Sequence, residues 1–254
     1  MSDISVSHDG HVATIVIQRP PHNFFDLALI RDIADELERI DLDANLRSVV
    51  LAADGKAFCA GANFTKSQPG SAAQPGGTHL YDEALRIFAC KKPIVAAVQG
   101  PAIGGGMGLA LVADFRVVCP ETRFAANFTR LGFHPGFGLT VTLPELVGRN
   151  QAELLFYTGR RIDGHEALAV GLANELVELD RVRERAAALA KEIAECAPLG
   201  LLATRATLRA GLVERIRAAT SHELEQQDRL KKTQDFAEGV KATAERRAAN
   251  FVGQ

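Results

Sequence analysis

Residues 99–114 read QGPAIGGGMGLALVAD. The run IVAAV just before them is apolar and β-branched, and residues 107–113 after the glycines are apolar and helix-like. The pattern is strand, tight glycine turn, helix start. Gly104, Gly105 and Gly106 leave the backbone without Cβ cover, so a ligand can touch main-chain N–H groups directly. Amides at a helix start are free to donate, and the helix dipole favours negative charge there. Two readings stand at this point: an oxyanion or phosphate site, or a turn that lets a helix pack closely on a sheet.

Working outward, residues 4–7 and 12–18 alternate around Asp9-Gly10 as a hairpin. Asp26 is placed to cap a helix whose Leu27, Ile30, Ile33, Ala34, Leu37 and Ile40 recur at helical spacing. Residues 48–52 read as a buried strand. Residues 54–64, DGKAFCAGANF, form a glycine-punctuated loop, and residues 65–79, rich in Ser, Gln, Pro and Gly, a surface loop expected to be mobile. A helix over 80–89 follows. Beyond the glycine stretch come strands at 115–119 and 123–125, a dense turn region at 127–140 and helices over 139–147 and 151–157. Asp163 and Glu166 have the spacing of a capping box, and 175–177 is a last short strand. From Arg181 the composition turns to Ala, Leu, Arg, Glu and Lys. It predicts helices over 181–196, 199–210, 213–232 and 237–247, too amphipathic to stand without a core or a second subunit.

The bulk numbers exclude several classes. A net charge of −2 and a pI near 6.4 leave no basic footprint for nucleic acid. Residues 93–113 carry no charge and are long enough to span a bilayer, but two prolines, five glycines and Gln99 argue for a buried strand–turn–helix instead. The polar start lacks a basic-then-apolar leader pattern, so a cytoplasmic protein is expected. Cys59, Cys90, Cys119 and Cys196 form no C-x-x-C pair and read as buried free thiols. No cluster has metal spacing, and no cofactor is implied.

Three segments together resemble the crotonase superfamily, the enoyl-CoA hydratase/isomerase family. KAFCAGAN at 56–63 is similar to K-x-F-x-A-G-A-D. AVQGPAIGGGMGL at 97–109 is similar to A-x-x-G-x-x-x-G-G-G-x-E-L. Residues 124–138, running into Leu146-Val147-Gly148, supply the third, with weaker matches at 158–160, 167–172 and 238–251. The order and spacing cover nearly the whole chain. The resemblance implies an α/β fold, a crotonase-like spiral of ββα turns over residues 1–196 holding an acyl-CoA site, with a C-terminal helical trimerisation region at 197–254. It implies a homo-oligomer, a trimer or dimer of trimers, and an acyl-CoA thioester as ligand, with CoA present only as part of the substrate. The thioester oxygen is expected between the amides of Ala62 and Gly105. Lys56, Ala60, Asn63, Phe128 and Phe251 are the substrate-binding positions, and Arg246 or Arg247 would face a CoA phosphate.

The chain departs from that pattern where it matters most. The two glutamates that hydratases of the family use fall at Gly108 and Phe128, and neither residue can move a proton. Hydration by the usual pair is therefore not expected, and isomerisation, C–C cleavage, decarboxylation or thioester hydrolysis stand in its place. His134, in a loop where some relatives carry a catalytic acid, is the expected acid–base group. His79, Asp82 and Glu83, which open the helix after the loop, are weaker candidates. The competing class is a non-catalytic acyl-CoA-binding homologue.

Overall fold

A computed structural model describes residues 3–63 and 79–254. Most of the loop expected to be mobile, 65–78, lies outside them, and so does Phe64. The chain opens with β1 (Ile4–Asp9) and β2 (Val12–Ile17), paired antiparallel, then α1 (Leu27–Leu42) and β3 (Ser48–Ala53). There follow α2 (Leu80–Phe88), β4 (Ile94–Val98), β5 (Pro101–Ile103), α3 (Gly105–Val112), β6 (Phe115–Val118) and β7 (Arg123–Ala125). Next come α4 (Leu139–Val147), α5 (Arg149–Thr158), β8 (Arg161–Asp163), α6 (Gly164–Ala169) and β9 (Glu175–Leu176). Four helices close the chain: α7 (Val182–Ala194), α8 (Pro198–Leu208), α9 (Leu212–Leu230) and α10 (Gln234–Glu245).

The strands form a six-stranded sheet in the order β1-β2-β3-β4-β6-β9, parallel from β2 onward, and a three-stranded sheet β5-β7-β8. Successive turns of the chain give one strand to each sheet, β4 then β5 and β6 then β7, which is the expected spiral. The central strands are buried on both faces, so β3 and β4 read as continuous apolar runs. Period-two alternation sorts their side chains: Val49 and Leu51 face the core under α1 and α3, while Val50 and Ala52 face α7. On α7, Ala186, Ala190 and Ala194 recur every four residues, and this small-residue stripe seats the helix against the sheet.

The sequence reading missed β5 and β8, three residues each and too short to show a period. Asp163 does cap α6, accepting from Glu166 N at 2.9 Å, but only half of the expected box forms because the Glu166 carboxylate pairs with Arg160. Cys59, Cys90 and Cys119 are buried as expected. Cys196 is exposed, because α7 ends at Ala194 and turns it away from the sheet.

The C-terminal helices pack on the core of their own chain. Glu223, buried on α9, accepts from Gly138 N at 2.9 Å and from Thr140 N and Oγ1 at 3.2 and 2.6 Å, so it caps α4 from across the fold. At α10, Gly239 lets the helix lie on the 129–131 turn, where a Cβ would come within 2.5 Å of the Leu131 carbonyl carbon. Arg205 reaches inward from α8 to Asp114, which also receives Arg209 and the Ile94 N–H, so Asp114 is a structural acid that ties α8 to the end of α3. Leu199 and Leu208, near the two ends of α8, stand exposed.

Candidate active site

Two short segments are brought edge to edge. The first is 59–63. Its position is fixed by Asn23, a fully buried residue in the left-handed region at φ 50°, whose Nδ2 donates to Asp54 O and Ala57 O at 2.7 Å each. Its Oδ1 accepts from Arg19 N at 2.9 Å. Ala60 N then donates to His22 O and Phe25 N to Gly61 O, while on the other edge Cys59 N and O bond to Pro101 O and Ile103 N. Ala62 bridges to Phe25, and its own N–H donates to no acceptor among the described residues.

The second segment is the glycine turn. Gly104, at φ 55°, donates to Ala125 O at 2.8 Å and swings the chain from β5 into α3. Gly105 is the first residue of α3, so its N–H has no partner within the helix. A side chain on either of the next two residues would collide. A Cβ on Gly105 would lie 2.4 Å from Phe25 Cζ, and one on Gly106 would lie 2.0 Å from Cys59 O. The glycines pack the helix tightly, and that packing brings the Gly105 amide to the 59–63 loop. A Cβ on Gly61 would stand 3.6 Å from Gly105 N. Two unspent N–H donors, Ala62 and Gly105, accordingly border one cavity.

That cavity measures about 490 Å³, within the range of small-molecule sites. Its walls are apolar and aromatic, with Phe24, Phe25, Phe128, Phe133 and Phe137 joined by Leu80, Leu131 and Val240 from α10. Ala60 and Asn63 also line it. Its polar groups are Asn63, Asn127, Thr243, Arg161, Lys231, His79 and the Tyr81–Gln227 pair, in which the phenol donates to Oε1 at 3.0 Å. Burial and the Glu223 carboxylate raise the Tyr81 phenol far above its ordinary range, so it stays protonated. Burial pushes the Cys59 thiol up to about 12, which leaves no thiolate beside the turn.

No carboxylate lines the cavity among the described residues, and residues 64–78 contain neither Asp nor Glu. The reason at position 108 is steric. A Cβ on Gly108 would sit 2.7 Å from Phe137 Cβ and 3.0 Å from Cγ and Cδ1. Phe137 is itself held between Phe25 and Phe88, at ring distances of 5.6 and 6.4 Å. Phe128, where the family resemblance expects the second glutamate, is buried.

The expected acid–base group, His134, is not brought to this site. Its Nδ1 lies 2.8 Å from Pro135 O, and its ring meets His222 of α9 edge-on at 6.0 Å. The loop turns its main chain toward the cavity side instead, where His134 O accepts from Gln227 Nε2. Lys56 and Phe251 are exposed and outside the wall. Arg247 is committed to Glu238 and Glu245, and this contact holds the Glu238 carboxyl down to about 2. Glu83 is buried against Arg31 of α1 and Arg86, tying the two helices together, and Asp82 accepts from His79 N at the α2 terminus. His79 does line the cavity. Sequence reasoning missed Asn23, whose only signal is a polar residue at the head of an NFF run.

A spiral of ββα turns with paired backbone donors at an apolar cavity defines the crotonase fold class. The sequence model of the enoyl-CoA hydratase/isomerase family matches residues 7–254, and the chain belongs to that family. A probable enoyl-CoA hydratase of Bacillus subtilis is 31% identical over 261 residues, covering 100% of both chains. A crotonyl-CoA hydratase of Syntrophomonas wolfei is 32% identical, covering 99% of this chain and 98% of its own. The crystal structure of an enoyl-CoA hydratase/isomerase from Pseudoalteromonas atlantica T6c superposes with a TM-score of 0.90 at 32% identity, covering 99% of this chain and 100% of its own.

Proposed function

We propose that this protein is an acyl-CoA-processing enzyme that holds a thioester enolate between the N–H groups of Ala62 and Gly105 and works without the two-glutamate hydration pair. The observation that carries the reading is the pair of unspent amides at the head of an apolar cavity whose described wall contains no carboxylate. Withdrawing a proton from the α-carbon, or breaking a bond to it, puts negative charge on the thioester oxygen. Preorganised donors aimed at that oxygen contribute about 3 kcal/mol each in comparable sites. Gly105 adds the dipole of α3. The aromatic wall excludes water, which suits isomerisation, retro-aldol C–C cleavage or decarboxylation of a bulky apolar acyl group over hydration or hydrolysis. Lys56 and Phe251 are assigned to the CoA head group, and the exposed Leu199 and Leu208 support association through the 197–254 region.

The test is incubation of the purified protein with a pooled acyl-CoA library, read by mass spectrometry for retained ligands and for products. Turnover of at least one thioester, abolished in Gly105→Ala, is the expected result. Rapid hydration of crotonyl-CoA, the chemistry that the relatives' names suggest, would refute the exclusion of the glutamate pair. The crowding of Gly108 by Phe137 also favours a second reading, a homologue that binds acyl-CoA without reacting. Tight retention with no product across the library would select it.

A further inference from the structure

His79 is fixed in one chemical state. It is the N-cap of α2, and its Nδ1 accepts from Tyr81 N at 3.0 Å. A ring nitrogen that accepts from an amide cannot itself carry hydrogen, so the proton of the neutral ring is on Nε2. The main chain is held as well, with His79 N donating to Asp82 Oδ2 at 2.9 Å, and the ring stands edge-on to Tyr81 at 4.8 Å. The charged groups around it come from two helices. Burial, first, and Lys231 at the C-cap of α9 disfavour the imidazolium, while Asp82 of α2 and Asp228 of α9 favour it, and the net shift is downward. Protonating Nδ1 would also break the cap. In this state the ring has no free lone pair and cannot be a base. It can donate from Nε2, and among the described residues that donor meets no acceptor, although the residue borders the cavity.

We propose that His79 is a neutral hydrogen-bond donor to an oxygen on the acyl chain, and that the substrate is therefore a CoA thioester with an oxygen acceptor at the β-carbon or beyond. This rests on the acyl-CoA reading of the cavity. It adds a ring donor of fixed tautomer to the two amides and to the polar side chains Asn63, Asn127, Arg161, Lys231 and Thr243 of the same wall.

Butyryl-CoA and acetoacetyl-CoA differ by one β-oxygen, and titration calorimetry of the full-length protein with each isolates the contact. The wild type is expected to prefer acetoacetyl-CoA. His79→Asn keeps an oxygen for Tyr81 N, since Asn is a favoured cap, but its amide is too short to replace Nε2. It should lose roughly three- to tenfold of that preference, the worth of one neutral hydrogen bond, with little change in Tm. His79→Gln keeps a donor at the reach of Nε2 and gives up the cap, so it should retain part of the preference and melt lower. An unchanged ratio in His79→Asn, or no preference in the wild type, overturns the assignment of His79 alone. A wild type that binds neither thioester overturns the acyl-CoA reading and this inference with it.

Discussion

Gly108→Ala isolates the contact that keeps an acid out of the site. Two effects oppose one another. In the interior of α3, alanine stabilises relative to glycine by about 1 kcal/mol. Against this, the new methyl would stand 2.7 Å from Phe137 Cβ, roughly 1 Å inside the optimal carbon–carbon separation. Overpacking of this kind costs about 1–3 kcal/mol, and Phe137 has little room to yield between Phe25 and Phe88. The upper end applies, so the net is about 2 kcal/mol of destabilisation, or a Tm drop of roughly 4–8 °C for a chain of this size. Phe137→Gly removes both the obstructing Cβ and the ring, and in that background Gly108→Ala should reverse sign and stabilise by about 1 kcal/mol. The assay is urea denaturation of the four proteins of this double-mutant cycle. Equal destabilisation in both backgrounds would refute the idea that Phe137 is the obstacle.

Ala62→Pro deletes one proposed oxyanion donor and should lower kcat on a turned-over thioester roughly 10²- to 10³-fold while Kd changes little, as stopped-flow kinetics would reveal. His134→Ala should leave kcat within about twofold, since the ring meets His222 rather than the cavity, and a larger loss would return it to the chemistry. Glu223→Ala removes three hydrogen bonds from the start of α4 and should cost about 3 kcal/mol in denaturant titrations, with Glu223→Gln recovering part of it. His79 is held neutral in the fold, below its ordinary value of 6.5, so as pH falls through 6.5 the unfolded chain takes up the proton first. Its contribution is fully present above 6.5 and declines on the way down to the folded value. Tm measured from pH 7 to 5 should therefore fall less steeply in His79→Asn than in the wild type.

What the sequence makes legible follows from how local the signal is. Of the six apolar positions that mark the helix of residues 27–42, Ile30, Ile33, Ala34, Leu37 and Ile40 are buried, while Leu27 is half-buried and Leu29 takes its place in the core. Asp26 caps the helix with an oxygen 2.9 Å from Leu29 N, a contact written within four residues of chain. The close approach at Gly105 was also legible, because glycines at 104–106 announce backbone that must come close to something, whereas Ala62 entered only through the family resemblance. His134 was not. A histidine beside a proline reads alike whether its ring or its carbonyl faces a cavity, and here the carbonyl is taken by Gln227, 93 positions away. Asn23 and Glu223 act across 34 and 85 residues, and no local pattern marks a side chain whose partners are main-chain groups of distant loops. His79 stood in plain view, but its tautomer is set by one hydrogen bond that only the coordinates supply.

The glycine at position 108 is a packing fact. Gly108 is small because Phe137 fills the space over it, and Phe137 stands at φ 62°, a strained setting for a large side chain. The ring is retained there because it packs against Phe25, the same residue whose Cζ lies where a Gly105 side chain would begin. The packing over Gly108 is thus continuous with the packing that seats the Gly105 amide, the proposed oxyanion donor. Gly108→Glu alone would place an unpaired carboxylate against a phenylalanine ring, at a cost of several kcal/mol. A hydratase pair can be recovered only by changing positions 108, 128 and 137 together, and the change at 137 would loosen Phe25 and with it the Gly105 amide. The triple variant Gly108→Glu, Phe128→Glu, Phe137→Gly should accordingly remain a poorer crotonyl-CoA hydratase than its carboxylates alone would suggest. A further compensating residue against Phe25 should improve it, and if the triple variant hydrates crotonyl-CoA efficiently without one, the coupling between the packing over Gly108 and the Gly105 amide does not exist.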